Sequence, residues 1–155
     1  MRVAIDTNIL VYAFIRDEDR RHKIASDLMI RAAVVDAIVP AQVLGEFSNV
    51  IRRKFPHYIE AAAEQVSLLS ATFVIVPTTD LEVRRGVRWA IRHQLQTWDS
   101  IIWQASALAG ADYLFSEDMQ DGLSIDGLTV IDPFNPANTV LIDLLLTPME
   151  GVERP

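Results

Sequence analysis

The sequence predicts an α/β domain whose mainly parallel central sheet, of about five strands, is covered by helices on both faces. Three observations support this fold class. Short apolar runs alternate along the chain with longer segments whose apolar residues recur at helical spacing. The sequence contains no internal repeat and no low-complexity segment. Hydrophobic residues make up 50% of the 155 positions and the mean hydropathy is +0.20, so the chain can bury a core unaided.

The N-terminal part of the chain predicts a strand, two helices, a second strand and a third helix. The first strand covers residues 2–5, and a turn over residues 6–8 leads into helical sequence. Apolar spacing predicts the next helix over residues 19–35, followed by a short strand over residues 36–39. Pro40 suits the first turn of the following helix. Its predicted buried face consists of Val43, Leu44, Phe47, Val50 and Ile51.

The middle of the chain continues the alternation. A Phe-Pro pair at residues 55–56 ends the third helix, and another helix is predicted over residues 58–72. Residues 73–76 are typical of a buried strand. The next helix spans residues 81–92, and the residues expected to face inward are Val83, Val87 and Ile91.

The last regular elements are a helix and two strands. Asp99 is predicted to open a helix that Gly110 ends, and a strand follows over residues 113–115. A turn over residues 122–127 precedes the final strand over residues 128–131. We therefore expect one domain over residues 1–134. The remaining residues, 135–155, form an extension whose apolar run is expected to pack on the domain or on a partner.

Charge and composition limit the classes of function. The chain has no cysteine, so it has neither disulfides nor thiolate metal sites. Its net charge is −7 with a pI near 4.8, which argues against nucleic-acid binding through overall charge. Any RNA partner would need local basic patches and bound cations. The absence of a secretory-type N-terminus and of a long apolar segment predicts a soluble cytoplasmic protein without membrane contact.

Four acidic residues are predicted to meet at one edge of the sheet. Asp6 directly follows the first strand and Asp118 follows the strand ending at Phe115, so both lie at the carboxyl ends of parallel strands. Glu46 borders the buried face of its helix, and Asp99 opens another helix. Each acid alone has a structural explanation as a helix cap, turn former or solvated residue. Clustered carboxylates, however, repel one another and favour a bound Mg²⁺ or Mn²⁺, for which oxygen ligands are suited.

Four segments carry a resemblance to PIN domains. Residues 3–12, Val-Ala-Ile-Asp-Thr-Asn-Ile-Leu-Val-Tyr, resemble the opening signature of that family. Residues 40–47 resemble the helix with its glutamate, residues 98–105 resemble the helix opened by its second aspartate, and residues 113–118 resemble the strand and loop with its third. Because the four segments come in the family's order and spacing, the chain is identified as resembling a PIN domain over about residues 3–134.

The resemblance implies a Rossmann-like, three-layer α/β/α PIN fold and an Mg²⁺- or Mn²⁺-dependent endoribonuclease. The residues that it marks as both catalytic and metal-binding are Asp6, Glu46, Asp99 and Asp118. It also implies that Thr7, Asn8 and Ser116 orient these acids through hydrogen bonds. Asp121 matches a position that is often acidic in the family and is a candidate additional acid, although Gly122 stands where an aromatic residue is common.

The resemblance further implies a VapC-type toxin of a toxin–antitoxin system. Its partners would be an RNA substrate, a small antitoxin protein and a second copy of the chain in a homodimer. The candidate RNA-contacting residues form two basic clusters, namely Arg52, Arg53 and Lys54, and Arg84, Arg85, Arg88 and Arg92. Trp98 and Trp103 flank Asp99, where they could stack on bases. Core packing is the interpretation that we favour for both.

Two alternatives belong to other classes of protein. A phosphoaspartate-forming phosphatase of the haloacid-dehalogenase type needs an Asp-x-Asp pair after the first strand, but Asn8 occupies the second position. A receiver module needs a second acid beside that aspartate and a lysine after a late strand, and the sequence provides neither. A catalytically silent PIN scaffold that binds RNA or protein stays open.

Overall fold

A single sheet of six strands organises the chain in this computed structural model, which describes residues 1–16 and 19–148. The strands are β1 (Val3–Ile5), β2 (Ala37–Pro40), β3 (Val74–Val76), β4 (Tyr113–Phe115), β5 (Ser124–Ile125) and β6 (Leu128–Ile131). Their order across the sheet is β3-β2-β1-β4-β6-β5. All neighbouring pairs are parallel except β5 with β6. The predicted α/β class with a mainly parallel sheet is confirmed.

Seven α-helices connect and cover these strands within the described residues. They are α1 (Thr7–Phe14), α2 (Asp19–Ala32), α3 (Ala41–Lys54), α4 (Ile59–Thr72), α5 (Asp80–His93), α6 (Thr97–Leu108) and α7 (Thr139–Leu145). Short 3-10 turns at Pro56–Tyr58 and Pro136–Asn138 precede α4 and α7. None of the helices in the described ranges combines the length and hydropathy that crossing a bilayer requires.

The strand order creates a switch point between β1 and β4. From β1 the chain continues to β2 and β3 on one side, whereas β4 and β6 lie on the other side. Ligands of such sheets bind beyond the carboxyl ends of the strands at this point. Ile5 pairs with Phe115, and the amide of Asp6 donates to the carbonyl of Phe115 at 3.1 Å. The residues that follow β1 and β4 therefore leave the sheet side by side.

The sheet has one more strand than the five that the sequence predicts. The predicted turn over residues 122–127 contains the short strand β5, which forms an antiparallel hairpin with β6. Asp126 and Gly127 connect the two strands, and both have positive φ angles, 51° and 90°. An Asp-Gly pair is a strong signal for a two-residue hairpin turn. The sequence thus contained a signal for β5 that the prediction did not use.

Helix α3 packs with the face that its sequence predicts. Val43, Phe47 and Ile51 are buried, and they belong to the core that the central strands form. Strand β3, in contrast, is an edge strand rather than a buried one, and Val74 is 60% exposed. An edge strand has a neighbouring strand on one side only, so part of its side chains stay exposed. An apolar run does not show whether its strand lies at the edge or in the centre of a sheet.

Helix α5 buries a face that is turned by about 100° from the one predicted. Val83, Val87 and Ile91 were expected to face inward, but all three are exposed. The buried residues of α5 are Glu82, Gly86 and Ala90. A Cβ atom on Gly86 would lie 2.6 Å from Cγ1 and 2.8 Å from Cα of Ile101 in α6. At Gly86 and Ala90, small size and not hydrophobicity selects the buried face, because α5 approaches α6 so closely.

Several element boundaries differ from the predictions. Helix α1 begins at Thr7 with Asp6 as its N-cap, where a turn over residues 6–8 was expected. Helix α6 begins at Thr97, so Asp99 lies inside the first turn and does not open the helix. In both places the helix starts earlier than the polar residues suggested.

The residues after the last strand form the helix α7, which packs on the domain. Ile142, Leu145 and Leu146 are buried in the core, and Arg31 of α2 forms an ion pair with Asp143 at 2.9 Å. Residues 149–155 lie outside the described part of the chain. The division at residue 134 and any contact of the extension with a partner stay predictions.

Candidate active site

Asp6 is the buried centre of the carboxyl edge of the sheet. Its side chain is 2% exposed and accepts hydrogen bonds from the Thr7 amide at 2.6 Å, the Ser116 hydroxyl at 2.6 Å and the Asn8 side-chain amide at 3.1 Å. Burial raises the pKa of Asp6 to about 7, against these hydrogen bonds and with a smaller contribution from Asp99 and Asp118. Asp6 therefore lies between its charged and neutral forms near neutral pH.

Asn8 and Ser116 connect Asp6 to Asp118. The side-chain amide of Asn8 donates to Oδ2 of Asp6 and to Oδ2 of Asp118, both at 3.1 Å. The Ser116 hydroxyl donates to Asp6 and accepts from the Asp118 amide at 3.2 Å. These contacts join the start of α1 to the loop after β4, and they hold the two carboxylates toward one another.

Glu46 reaches the same edge from the second turn of α3. The Thr7 hydroxyl donates to one carboxylate oxygen of Glu46 at 3.2 Å, and the Gln42 amide donates to the other. The nitrogen of Gln42 also lies 3.4 Å from the carbonyl of Trp98. Gln42 was not among the predicted site residues. Its position one helical turn before Glu46 was the available signal, because residues four apart share a helix face.

Asp99 completes the group from the first turn of α6. Burial raises its pKa to about 6, and the charges of Asp118 and Glu46 raise it further in the same direction. The charges that act on Asp99 are all negative. Asp6, Glu46, Asp99 and Asp118 thus come from four separate elements and act on one another electrostatically.

The donor set suits a hard divalent cation. Four carboxylates supply only oxygen ligands, which such cations prefer. The negative charges of Asp118 and Glu46 act on Asp99, so a bound cation would relieve their repulsion. Within residues 1–16 and 19–148, however, no three acidic or histidine side chains stand close enough to hold one ion directly. Mg²⁺ keeps several of its waters and uses only one or two protein carboxylates, so the arrangement still fits such an ion.

Asp121 is not part of this group. Its carboxylate accepts hydrogen bonds from the Asp132 amide at 2.9 Å and from the side chains of Asn135 and Asn138 at 2.8 and 2.9 Å. Burial raises the pKa of Asp121, but these hydrogen bonds outweigh it and leave the pKa below its ordinary value. Asp121 therefore fastens the segment before α7, which corrects its prediction as a candidate additional acid.

A second cluster braces the loop that carries Asp118. The amide of Glu117 donates to Oδ1 of Asn8 at 3.3 Å, and the Glu117 carboxylate forms an ion pair with Arg21 of α2. The Arg21 guanidinium lies 5.4 Å from the ring centre of Tyr12 and 5.6 Å from that of Phe134. Burial and the Glu117 carboxylate raise the pKa of Tyr12 to about 12. Nothing in the sequence pattern linked these residues, because Arg21 and Glu117 lie 96 positions apart and each is an ordinary charged residue.

The predicted nucleic-acid contacts lie on exposed helix surfaces. The first basic cluster, residues 52–54, forms the exposed C-terminal end of α3, whereas Glu46 lies nearer its start. The arginines of α5 are exposed as well, and Arg84 forms an ion pair with Asp80 at 2.9 Å. Trp103 is fully buried as expected. Trp98, expected in the core, is exposed instead.

Comparisons with known proteins agree with this architecture. The family model of the PIN domain matches residues 3–120. A comparison with curated protein sequences finds no match. The solved structure of Mycobacterium tuberculosis VapC20, described as a sarcin-ricin loop cleaving toxin, is similar with a TM-score of 0.64 and 19% identity. This match covers 75% of the present chain and 89% of VapC20.

Two further solved structures are similar. A chain of a toxin–antitoxin complex from Klebsiella pneumoniae matches with a TM-score of 0.61 and 20% identity, covering 84% of the present chain and 97% of that chain. A chain of VapBC2 from Rickettsia felis, bound to a DNA fragment from its promoter, matches with a TM-score of 0.60 and 16% identity over the same shares. With the family match over most of its length and this fold, the chain belongs to the PIN domain family.

Proposed function

We propose that this protein is an Mg²⁺- or Mn²⁺-dependent endoribonuclease that hydrolyses phosphodiester bonds of RNA at the carboxyl edge of its sheet. The observation that carries the proposal is the electrostatic coupling of Asp6, Asp99, Asp118 and Glu46, which four separate elements bring to the switch point between β1 and β4. Such a group of acids costs stability unless a cation neutralises it. We assign the four acids as catalytic residues that hold the cation, one or two of them directly and the others through its bound waters.

The hydrogen-bonding residues would set the geometry of the acids. Ser116 and Asn8 donate to Asp6, so they favour its charged form despite its burial. Thr7 and Gln42 fix the two oxygens of Glu46 in the same way. A site that holds its ligands in place before the cation arrives loses less conformational entropy on binding.

A divalent cation held by these acids supplies a Lewis acid that lowers the pKa of an attacking water and a positive charge that attracts the phosphate. The acids alone would repel RNA, because both the edge and the whole chain are negative. The basic clusters at residues 52–54 and on α5 are our candidates for contacts with more distant phosphates.

We also propose that the protein is the toxin of a toxin–antitoxin pair and acts in the cytoplasm. The similar structures support this proposal, since one is described as a sarcin-ricin loop cleaving toxin and another as a toxin–antitoxin complex. The corresponding partners would be RNA, a small antitoxin protein and a second copy of the chain.

The proposal is tested by incubating the purified protein with total RNA and Mg²⁺ or Mn²⁺, with and without excess EDTA. We expect cleavage that requires the cation and that Asp6→Asn abolishes. Titration calorimetry with Mn²⁺ gives a second readout, in which Asp6→Asn should weaken binding. Thermal unfolding of the variant shows whether its fold is intact.

Asp112→Asn is the matched control. Asp112 is an exposed aspartate before β4, at the other end of that strand from Asp118, and its carboxylate accepts from the Arg2 amide at 2.8 Å. We expect this variant to cleave RNA like the wild type. Cleavage that persists in EDTA or in folded Asp6→Asn would disprove the mechanism. RNA binding without any cleavage by the wild type would favour the catalytically silent alternative.

A further inference from the structure

Trp98 is a large aromatic side chain that the fold leaves exposed beside the acids. It is 63% exposed, whereas Trp103 of the same helix is fully buried. The sequence alone favoured the core for both. Burying an indole is favourable, and this exposed ring stands next to Asp99 of the candidate active site, where a bound substrate could cover it.

The backbone of Trp98 is fixed to the acidic edge. Trp98 precedes Asp99 in the first turn of α6, so their Cα atoms lie ~3.8 Å apart. The nitrogen of Gln42 lies 3.4 Å from the carbonyl of Trp98 and also hydrogen-bonds to Glu46. The Gln42 side chain thus ties the backbone of Trp98 to Glu46, while Asp99 is its neighbour along the chain. A group bound against Asp99 would have the Trp98 ring within reach.

The surroundings of Trp98 suit a flat, uncharged ligand. Its neighbours Gln96 and Thr97 are exposed polar residues, so the ring is not part of a continuous apolar surface along the chain. A protein partner normally needs such a surface. Near four carboxylates a phosphate is repelled, but an uncharged ring is not. Unpaired RNA bases stack on aromatic side chains in this way.

We propose that Trp98 is a stacking subsite for the unpaired nucleobase next to the phosphate at the acidic edge. The proposal rests on the proposed ribonuclease function and adds to it a residue that contacts a base of the substrate. Stacking is tolerant of base identity because every base has a π-face, so Trp98 should select an unpaired base rather than a particular one.

The test uses an RNA oligonucleotide that spans a site cleaved by the wild type, and derivatives with one abasic residue at each position in turn. Binding is measured by fluorescence anisotropy with Mg²⁺ in the Asp6→Asn background, where the RNA stays intact. We expect Trp98→Ala to weaken binding of the full oligonucleotide by about 5- to 150-fold, the range of one base stack. Trp98→Phe should restore part of this loss.

The abasic series separates stacking from a structural role. With Trp98 present, one abasic position adjacent to the scissile phosphate should weaken binding, and with Trp98→Ala that same position should have no further effect. RNA should also quench the tryptophan emission, and Trp98→Phe should remove most of the quenching. Tyr58→Ala is the matched control, because Tyr58 is an exposed aromatic beyond the far end of α3. We expect it to bind RNA like the parent.

The outcomes distinguish this inference from the proposed function. If the wild type cleaves no RNA, the proposed function fails and the subsite fails with it. If the wild type cleaves RNA but Trp98→Ala binds it unchanged, or keeps the same abasic profile, the subsite alone is disproved. The exposed ring would then be assigned to a protein partner.

Discussion

The acidic edge of the sheet and the contact between α5 and α6 both bury residues that are atypical of a protein core. At the edge these residues are Asp6 and Ser116, and between the helices the residue is Gly86. The edge buries polar groups because each has a hydrogen-bond partner, which the strand ends bring together. The helix contact buries a glycine because nothing larger fits. Polar burial at strand ends was predictable from topology, whereas close packing of helices was not predictable from hydrophobicity.

The largest effect that tests this contrast is the pH dependence of stability in the metal-free protein. The pKa of Asp6 is about 7 in the folded chain against an ordinary value of 3.8. Between pH 3.8 and about pH 7, Asp6 therefore holds a proton in the folded state that it has lost in the unfolded state. The stabilisation is complete below the lower pKa and is lost as the pH rises through the higher one, at about 1.4 kcal/mol per pH unit, or about 4 kcal/mol in all.

We expect the free energy of unfolding in EDTA to fall between about pH 4 and pH 7, as measured by urea denaturation. Asp6→Asn should reduce this dependence to the part that the raised pKa of Asp99 contributes, and Asp112→Asn should retain it in full. Added Mn²⁺ should restore stability chiefly at the higher pH, because the cation competes with the proton for Asp6. A metal-free protein whose stability rises over this range would contradict the burial of an unneutralised Asp6.

The next effect concerns the partner of the buried acid. The Ser116 hydroxyl donates to Asp6 at 2.6 Å and favours its charged form. Ser116→Ala removes this donor, which should raise the pKa of Asp6 further and cost about 1.5–3 kcal/mol when Asp6 is charged. Denaturation should therefore show a larger loss at about pH 8 than at about pH 5. Equal losses at both values would mean that Ser116 contributes by packing and not by its hydrogen bond.

A pair of helical glycines tests the other region. Gly45 lies in α3 with no atom within 4 Å of an added Cβ, whereas a Cβ on Gly86 would meet the backbone of Ile101 at 2.8 Å. Gly45→Ala should stabilise the protein by about 0.5–1 kcal/mol, because alanine favours the helix. Gly86→Ala gains the same preference but forces α5 away from α6, so we expect a net loss of about 1–3 kcal/mol. Thermal unfolding measures both variants.

The glycine pair has one outcome that would overturn this view of α5. If Gly86→Ala stabilises the protein as Gly45→Ala does, the two helices do not approach as closely as the structure has them. The predicted inward face of Val83, Val87 and Ile91 would then regain support.

The fold class and the edge position of the acids were predictable from the sequence for the same reason. Asp6 and Ser116 follow β1 and β4 directly, and apolar runs mark the ends of those strands clearly. Parallel strands place their carboxyl ends at one edge, so neighbouring positions in space follow from position along the chain. Glu46 was accessible through the helical period, because α3 packs on the sheet with large side chains.

The contacts that the sequence did not reveal depend on side-chain partners far along the chain. The ion pair of Arg21 with Glu117 joins two residues that each resemble solvated surface charges. Trp98 lies in the first turn of α6, about 140° around the helix from Trp103, whereas residues 100–106 are buried on every side of the helix. Periodicity assigns a face to a helix as a whole, but it does not tell how far that face extends at the helix end.

The smallest expected effect belongs to the apolar row on α5. Ile91 is 77% exposed, so Ile91→Gln removes little buried surface and should change the free energy of unfolding by less than about 0.5 kcal/mol. Ala90 precedes it and is buried, so Ala90→Gln should cost about 1–3 kcal/mol through overpacking. Urea denaturation of the two variants gives their order directly. The reverse order would restore the face that hydrophobic spacing predicted, because only one of two adjacent helix positions can point toward α6.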